Sequence, residues 1–291
     1  MSINYEILAQ HYASEAVLLR AVASVHLENM QDMLFWKPIL ESVKPGAYNF
    51  IGFSKSKNEN NTSGCTQCLK FKGFLNKKFF VCLDSDYRFF GIGDPISADE
   101  FFAQTHTYSF ENHLCFADDL QGRLTKVLEE ISQSIAFDFR IFLSNLSEAV
   151  HPIVLQYLSM KRNGRKDFTK GMFTELFDFH LDETDYENNG DGIVLKLTER
   201  FTQLQSKLQP VYTMNYEQEA RYYGEMGLSK ENAYLRMRGH ALYPFINKIG
   251  SHFCKTYRLS FEKKVLSVVE NHFSHYPEMD SLMQDVRQIL L

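Results

Sequence analysis

Two aspartates separated by one residue, Asp84 and Asp86, follow the apolar run FFVCL at positions 79–83. In an extended chain, alternate side chains point the same way, so these carboxylates would lie roughly 6 to 7 Å apart on one side. Like charges this close repel unless a cation lies between them, and a hard divalent ion such as Mg²⁺ suits two carboxylates. A turn after a strand explains the same residues, because Asp and Ser favour turns. The pair alone leaves both interpretations open.

The apolar run before the aspartates is typical of a strand that is buried on both faces of a parallel sheet. Further strands are predicted at 21–27, 48–53 and 105–110, helices at 31–43 and 64–75, and a polar loop at 54–63. This alternation of strands and helices predicts an α/β fold in which a parallel sheet is flanked by helices.

Beyond about residue 119 the apolar residues repeat with helical spacing over long stretches. Helices are predicted at 120–135, 139–160, 241–254 and 261–273. We therefore predict two domains, a small α/β domain at 1–118 that carries the acids and an all-helical domain at 119–291.

A third acid, Glu28, ends the first predicted strand, and Asp32 lies one turn into the helix that follows. In open parallel sheets, chemistry gathers beyond the carboxyl ends of the strands. Glu28 would lie beside Asp84 and Asp86 if their strands are neighbours. Taken alone, Glu28 is explained as well by charge compensation at the N-terminus of a helix.

Three segments in this order carry a resemblance to a known family: VHLENMQDMLFW from Val25, FVCLDSDY from Phe80 and THTYSFENHLC from Thr105. They resemble the Toprim fold of topoisomerases, bacterial primases and overcoming-lysogenization-defect nucleases. More closely, they are similar to a Toprim-like nuclease family of the AriB type, which supplies the effector of the PARIS anti-phage defence system. The resemblance covers the first 120 residues and, in the helical remainder, mostly the segment RGHAL at 238–242.

The resemblance implies roles for individual residues. Glu28, Asp84 and Asp86 match the catalytic acids of the family, and together with Asp32 they would bind Mg²⁺ or Mn²⁺. The family commonly has glycine after the glutamate, where this chain has Asn29. Asn tolerates a left-handed backbone better than most residues, so the turn can survive the change. Positions expected to support the site are Tyr108, Glu111, Asn112 and His240.

The function implied by the resemblance is a Mg²⁺-dependent nuclease that cleaves RNA rather than DNA, with transfer RNA as a candidate substrate. It would act in the cytoplasm as the toxic effector of an anti-phage system that works by abortive infection, as a homodimer with an ABC-type ATPase partner. Two alternatives stay open: a DNA endonuclease of the overcoming-lysogenization-defect type, and a catalytically degenerate Toprim domain that serves as a binding or sensing subunit.

A net charge of −5 argues against binding of nucleic acid by the whole surface, so a polyanion must bind at a local cluster of basic residues. The densest basic cluster is KRNGRK at 161–166, the basic segment. Its cations can hold phosphates, or they can form a solvated loop at a helix C-terminus. The nucleic-acid-binding residues expected here are Lys161, Arg162, Arg165 and Lys166.

Cysteine spacing and apolar patterning limit which metal sites and which cellular locations the chain can have. Cys65 and Cys68 form a C-x-x-C pair without a second pair at zinc-finger spacing, which favours ordinary helix-start residues over a zinc site. The N-terminal segment has no secretory pattern, and no apolar stretch reaches the length of a membrane span, so we expect a cytoplasmic protein without membrane contact. No phosphate-binding loop of the P-loop type is present, so an ATPase would be another protein.

Overall fold

The computed structural model of the chain describes residues 3–52, 54–55, 61–62, 64–269 and 273–291. Three predicted segments fall partly outside these residues. They are the second predicted strand at residue 53, the predicted loop at residues 56–60 and 63, and the last predicted helix at residues 270–272.

The described residues form six strands and twelve α-helices. The strands are β1 (Ser24–His26), β2 (Asn49–Ile51), β3 (Ser54–Lys55), β4 (Asn61–Thr62), β5 (Phe79–Leu83) and β6 (Phe102–Gln104). The helices are α1 (Tyr5–Leu18), α2 (Met33–Val43), α3 (Cys65–Leu69), α4 (Phe110–Leu114), α5 (Ala117–Glu130), α6 (Phe139–Arg162), α7 (Lys170–Glu175), α8 (Glu187–Leu208), α9 (Tyr216–Gly224), α10 (Ala233–Arg236), α11 (Gly239–Cys254) and α12 (Pro277–Leu290).

The chain divides into two compact units, each built from separate segments. The first unit consists of Met1–Ser85, Asp94–His106 and Val269–Leu291, and the second of Asp86–Gly93 and Thr107–Val268. These units differ from the predicted division between residues 118 and 119. The C-terminal helix α12 belongs to the first unit because it packs on β6 and α2.

The sheet of the first unit has four parallel strands in the order β2-β1-β5-β6. In its centre, His26 of β1 pairs with Val81 of β5, and Val81 pairs with Phe102 of β6. The predicted α/β fold with a parallel sheet flanked by helices is confirmed. The strand order places a topological switch between β1 and β5, where the chain turns from one edge of the sheet to the other.

Strand β5 is buried along its whole length, as its sequence predicts. Its alternate residues Phe79 and Val81 belong to an apolar cluster with Phe71, and the rings of Phe71 and Phe79 meet edge to face at 5.1 Å. Tyr12 of α1 also packs on Phe79. Helix α1 and the segment after α3 therefore cover one face of the sheet and fix β5 beside β1.

The strand predicted at 105–110 is wrong, because the last strand of the sheet ends at Gln104. His106 has a left-handed backbone with φ 55°, which breaks an extended run. The Thr107 hydroxyl donates to the Ser109 carbonyl at 2.7 Å, and Ser109 begins the capping box of α4. Local hydrogen bonds of Ser and Thr thus replace the pairing of a strand.

The second unit is helical, as predicted for most of the chain after residue 119. Helix α6, Phe139–Arg162, extends two residues beyond the predicted end, and α8 packs along it. The segment predicted as a helix at 261–273 contains a short π-helical turn at Glu262–Leu266 instead. Within the described ranges, no helix combines the length and the apolar character that crossing a bilayer requires.

Candidate functional site

Glu28 and Asp84 meet at the carboxyl edge of the sheet. Each follows one of the two central strands, and the Asp84 N–H donates to Glu28 Oε1 at 3.1 Å. Both residues are half-buried. Since β1 and β5 flank the topological switch, this pair lies where open α/β sheets bind ligands. The fold thus places a carboxylate at the most probable ligand position of the sheet.

The backbone at Glu28 is fixed from two sides. The Leu27 N–H donates to the Ile51 carbonyl at 2.8 Å, and the Glu28 carbonyl accepts from the Gly64 N–H at 2.8 Å. Gly64 precedes α3 and has φ 90°, a conformation that favours glycine. The start of α3 is therefore tied to the strand end that carries Glu28.

Asp32 closes a capping box with Asn29. Asp32 Oδ2 accepts from the Asn29 N–H at 3.0 Å, and the Asn29 side chain accepts from the Gln31 N–H. The backbone of Asn29 is extended, with φ −144°, so glycine is not needed at this position. Asp32 has a structural role at the helix start, and its role as a metal ligand stays a prediction.

Asp86 belongs to the second unit, and its backbone is left-handed with φ 47°. The extended chain on which the same-side argument depended therefore ends before Asp86, which begins a turn. Its carboxylate lies 3.4 Å from Arg88 Nη1 and 3.7 Å from Lys170 Nζ. Two cations thus neutralise this acid within its own unit. Convergence of Asp86 with Glu28 and Asp84 stays a prediction.

The donor chemistry of Glu28 and Asp84 fits Mg²⁺. This ion is bound in many enzymes by one or two carboxylates, with water and substrate phosphates completing the octahedron. Among the residues that the structure describes, no group of three or more His, Cys, Asp and Glu side chains is arranged to hold a metal ion. Binding of a metal ion by Glu28 and Asp84 stays a prediction.

Ser85, the residue between the two aspartates, anchors the end of β5 to the segment after β6. Its N–H donates to Thr105 Oγ1 at 3.0 Å, and its hydroxyl accepts from the His106 N–H at 2.7 Å. His106 Nε2 is in turn 2.8 Å from Asp285 Oδ2 on α12. Asp285 could not be predicted as a partner, because it is distant in the chain and its helix shows only amphipathic spacing.

Cys68 is a buried thiol close to the candidate acids. Burial raises its pKa well above the ordinary value, and the charges of Glu28 and Asp32 raise it further. Its sulfur lies 3.4 Å from Nδ1 of His26, whose pKa falls to about 4 through burial. Burial therefore favours the neutral form of both groups. As predicted, the C-x-x-C pair stands at the start of a helix, α3.

In the second unit, the structure joins the two segments that carried the resemblance there. The Tyr108 N–H donates to the Leu235 carbonyl at 3.1 Å. The Asn112 amide donates to the carbonyls of Tyr234 at 3.2 Å and Met237 at 2.9 Å. A Cβ on Gly239 would lie 2.1 Å from Ser109 Oγ, so only glycine allows this close packing. Asn112 is thus a clamp that holds the start of α11 against α4.

The clamp brings Glu111 and His240 together. His240 Nδ1 lies 3.3 Å from Glu111 Oε1, and the hydrogen bond with this carboxylate raises the pKa of His240. Burial works against ionisation of Glu111, but its hydrogen bonds with His240 and Ser109 lower its pKa overall. The imidazole is two-thirds exposed, so it can carry a positive charge or donate a proton to a bound anion.

Further cations surround this pair. Arg238 Nη1 donates to the Lys170 carbonyl and to Thr174 Oγ1, both at 2.9 Å, and the Lys170 ammonium lies 5.9 Å from the centre of the Tyr108 ring. Burial raises the pKa of Tyr108, and the Asp86 charge raises it further. Only His240 of these cations was predicted as a site residue, although Arg238 also lies in the RGHAL segment and Lys170 lies four residues beyond the basic segment.

The basic segment is held by contacts within the second unit. Arg162 bonds Glu219 at 2.5 Å and lies 4.0 Å over the Tyr222 ring. Arg165 bonds Asp167 and donates to the Val211 carbonyl, both at 3.0 Å. The remaining predicted residues are Lys161, which lies 5.1 Å over the Tyr157 ring, and Lys166, which is exposed. Both arginines thus have partners within the second unit, and phosphate binding by this segment stays a prediction.

Comparison of the chain with protein-family models, with curated proteins and with solved structures gave no match. Function must therefore be inferred from the residues of the chain and their geometry.

Proposed function

We propose that the chain is a Mg²⁺- or Mn²⁺-dependent phosphodiesterase that cleaves nucleic acid with a Toprim-like active site. The observation that carries this proposal is the contact of the Glu28 carboxylate with the Asp84 N–H at the switch point of a parallel sheet. Acids at this place suit a metal that meets the substrate phosphate.

A divalent ion bound there would polarise the phosphate and stabilise the leaving oxygen. Glu28 and Asp84 would hold the ion, and the resemblance adds Asp86 and Asp32 as further acids. Glu28 also orients the chain after β5, because it accepts the N–H of Asp84. A change at Glu28 would therefore alter both the charge and the position of the second acid.

An acidic chain that cleaves a polyanion needs local positive charge. The second unit offers Lys170, Arg238 and His240 close together, with His240 held by Glu111. It also offers the exposed Lys166 of the basic segment. These groups supply phosphate contacts of the kind that position nucleic acid without reading its sequence.

RNA, with transfer RNA as a candidate, is the substrate we propose, in a toxic effector of anti-phage defence that dimerises and works with an ABC-type ATPase. This part rests on the resemblance of three segments. A DNA endonuclease with the same acids is the alternative within the class. An ATPase gene beside the gene for this chain would support the defence function.

A binding or sensing subunit without catalysis is the second candidate. The pairing of Asp86 with Arg88 and Lys170 favours it, because an acid already neutralised by two cations is a poorer metal ligand. Metal-dependent cleavage by the purified chain decides between the two functions.

The test uses the purified chain with end-labelled transfer RNA, single-stranded RNA and duplex DNA, with Mg²⁺ or with a chelator. Glu28→Gln keeps an oxygen acceptor for the Asp84 N–H and removes the charge, so its fold should match the parent by circular dichroism. The control is Glu41→Gln on α2, whose partner Lys37 is also exposed. We expect cleavage by the parent and the control and none by Glu28→Gln. Undiminished cleavage by Glu28→Gln would refute the proposed role.

A further inference from the structure

A second feature of the helical unit is a cleft between α6, α8 and the connection from α8 to α9. Its volume is about 340 Å³, at the lower end of the range for small-ligand pockets, about 300 to 1,000 Å³. None of the side chains that line it is charged. They include Gln156, Thr202, Gln205, Gln209, Tyr212 and Tyr216.

Gln156 points to a ligand in this cleft. The residue is 5% exposed and lines the cleft, so the accessible part of its side chain faces this space. A few polar groups on the wall of a pocket fix the orientation of what binds there. Two donors and one acceptor on this amide would be satisfied by a polar ligand of matching pattern.

The two tyrosines of the cleft are fixed by their hydroxyls. Tyr212 Oη lies 2.6 Å from Ser159 Oγ and accepts from the Asn163 amide at 3.0 Å. Tyr216 Oη lies 3.0 Å from His151 Nδ1. Since the hydroxyls already have partners within the unit, the rings offer the cleft preorganised aromatic walls.

The basic segment adjoins the cleft. Asn163 bonds Tyr212, and Arg165 donates to the carbonyl of Val211, the neighbour of Tyr212. An uncharged pocket with glutamines and aromatic rings beside a row of cations is the chemistry that holds an unpaired base and its flanking phosphates. Glutamine amides pair with the edges of bases, adenine above all.

We propose that this cleft binds one unpaired nucleobase of a strand whose phosphates contact the basic segment. The proposal rests on the proposed function in that the strand is the nucleic-acid substrate, but it concerns binding and needs no cleavage. Another cleft beside α8 supplies a contrast, because charged residues line it, among them Glu175, Arg200 and Lys207.

The test measures fluorescence anisotropy of two labelled probes in the presence of a chelator, which prevents cleavage. One probe is an oligoadenylate of about twelve nucleotides and the other is the abasic oligomer of the same length. We expect the parent to bind the base-bearing probe about tenfold more tightly, the gain expected from one stacked and hydrogen-bonded base. Equal affinity for the two probes would overturn the proposal.

Two variants assign the difference to the cleft. Gln156→Leu removes the amide at similar volume. Gln205→Ala removes a second amide, on α8, and serves as the test if the buried change at Gln156 disturbs the fold. Each should abolish the preference for the base-bearing probe and leave the affinity for the abasic probe unchanged. The matched control is Gln203→Ala, also on α8, because Gln203 lines the other cleft. A preference that survives both cleft variants would place the base elsewhere.

Two further outcomes keep the proposals separate. Cleavage in Mg²⁺ without discrimination between the probes would overturn the base site and leave the nuclease proposal standing. Discrimination without cleavage would support the base site and overturn the nuclease proposal. Displacement of the probe by maltotriose and not by adenosine would assign the cleft to a carbohydrate and overturn the proposal.

Discussion

Asp84 and Asp86 are separated by one residue, yet their surroundings differ. Asp84 ends a buried strand of the first unit, and its N–H meets the Glu28 carboxylate. Asp86 lies in the second unit with a left-handed backbone and two cationic neighbours. Asp86 is neutralised by cations, whereas the backbone of Asp84 is held by a carboxylate. The comparison shows that D-x-D spacing alone does not place two aspartates in equivalent surroundings.

The prediction with the largest expected effect compares an acid of the first unit, Glu28, with Asp86 of the second unit. We expect Glu28→Gln to lower the rate of metal-dependent cleavage by about a thousandfold, because a divalent ion contributes several kcal/mol to stabilising the transition state. Asp86→Asn should lower it much less if Asp86 only orients Arg88 and Lys170. Single-turnover cleavage rates at saturating Mg²⁺ measure both. Equal losses would make Asp86 as important for cleavage as Glu28 and break the comparison.

The second prediction concerns the clamp in the second unit, where Asn112 holds the start of α11 against α4. Gly239→Ala places a Cβ 2.1 Å from Ser109 Oγ and 3.1 Å from Asn112 Oδ1. We expect a loss of about 1 to 3 kcal/mol in the free energy of unfolding, measured by urea denaturation. Gly122→Ala is the matched control, because a Cβ there meets nothing within 4 Å and the site lies within α5. It should raise stability by about 0.5 to 1 kcal/mol. A neutral Gly239→Ala would mean that the clamp is looser than described.

The third prediction separates structural from phosphate-binding cations in the basic segment. Arg162→Ala leaves the buried Glu219 without its partner, so stability should fall by about 1 to 3 kcal/mol. Lys166→Ala should leave stability unchanged and reduce the slope of log K against log salt by about one. Urea denaturation and binding titrations at several salt concentrations measure the two effects. A slope that is unchanged for Lys166→Ala would make this residue part of a solvated loop.

The smallest effect is the pH dependence of the Glu111–His240 pair. The pKa of His240 is raised from 6.5, so its contribution to stability is full below that pH and is lost as pH rises through the folded pKa. The pKa of Glu111 is lowered from 4.5, so its contribution is full above that pH and is lost as pH falls. The pair should stabilise most between these values. NMR titration of His240 should show a lower pKa in Glu111→Gln than in the parent. An unchanged pKa of His240 would show that the two side chains do not interact.

The sequence predicted correctly those features that depend on the pattern of a single strand. The apolar run before Asp84 predicted a fully buried strand, and the end of the first strand predicted Glu28 at the same edge. Both follow from local pattern and from the rule that parallel strands end together. The predicted length of β1 was too great, since the strand spans only Ser24–His26.

Long-range partners could not be predicted in the same way. Lys170 approaches Asp86 from 84 positions away, and Asp285 reaches His106 from the end of the described chain. Such pairs depend on how helices pack, which one sequence does not specify. The strand predicted at 105–110 failed for a different reason, because local hydrogen bonds of Thr107 and Ser109 compete with strand pairing.

The order of the chain segments has a consequence for synthesis on the ribosome. The segment that completes the first unit, with Asp285 bonded to His106, is translated after the whole second unit. A nascent chain that lacks α12 therefore leaves β6 and α2 uncovered, and the strand ends beside Ser85 lack their last anchor. Completion of the first unit therefore waits until α12 has been translated. A chain that stops before residue 277 would lack the Asp285 carboxylate that bonds His106.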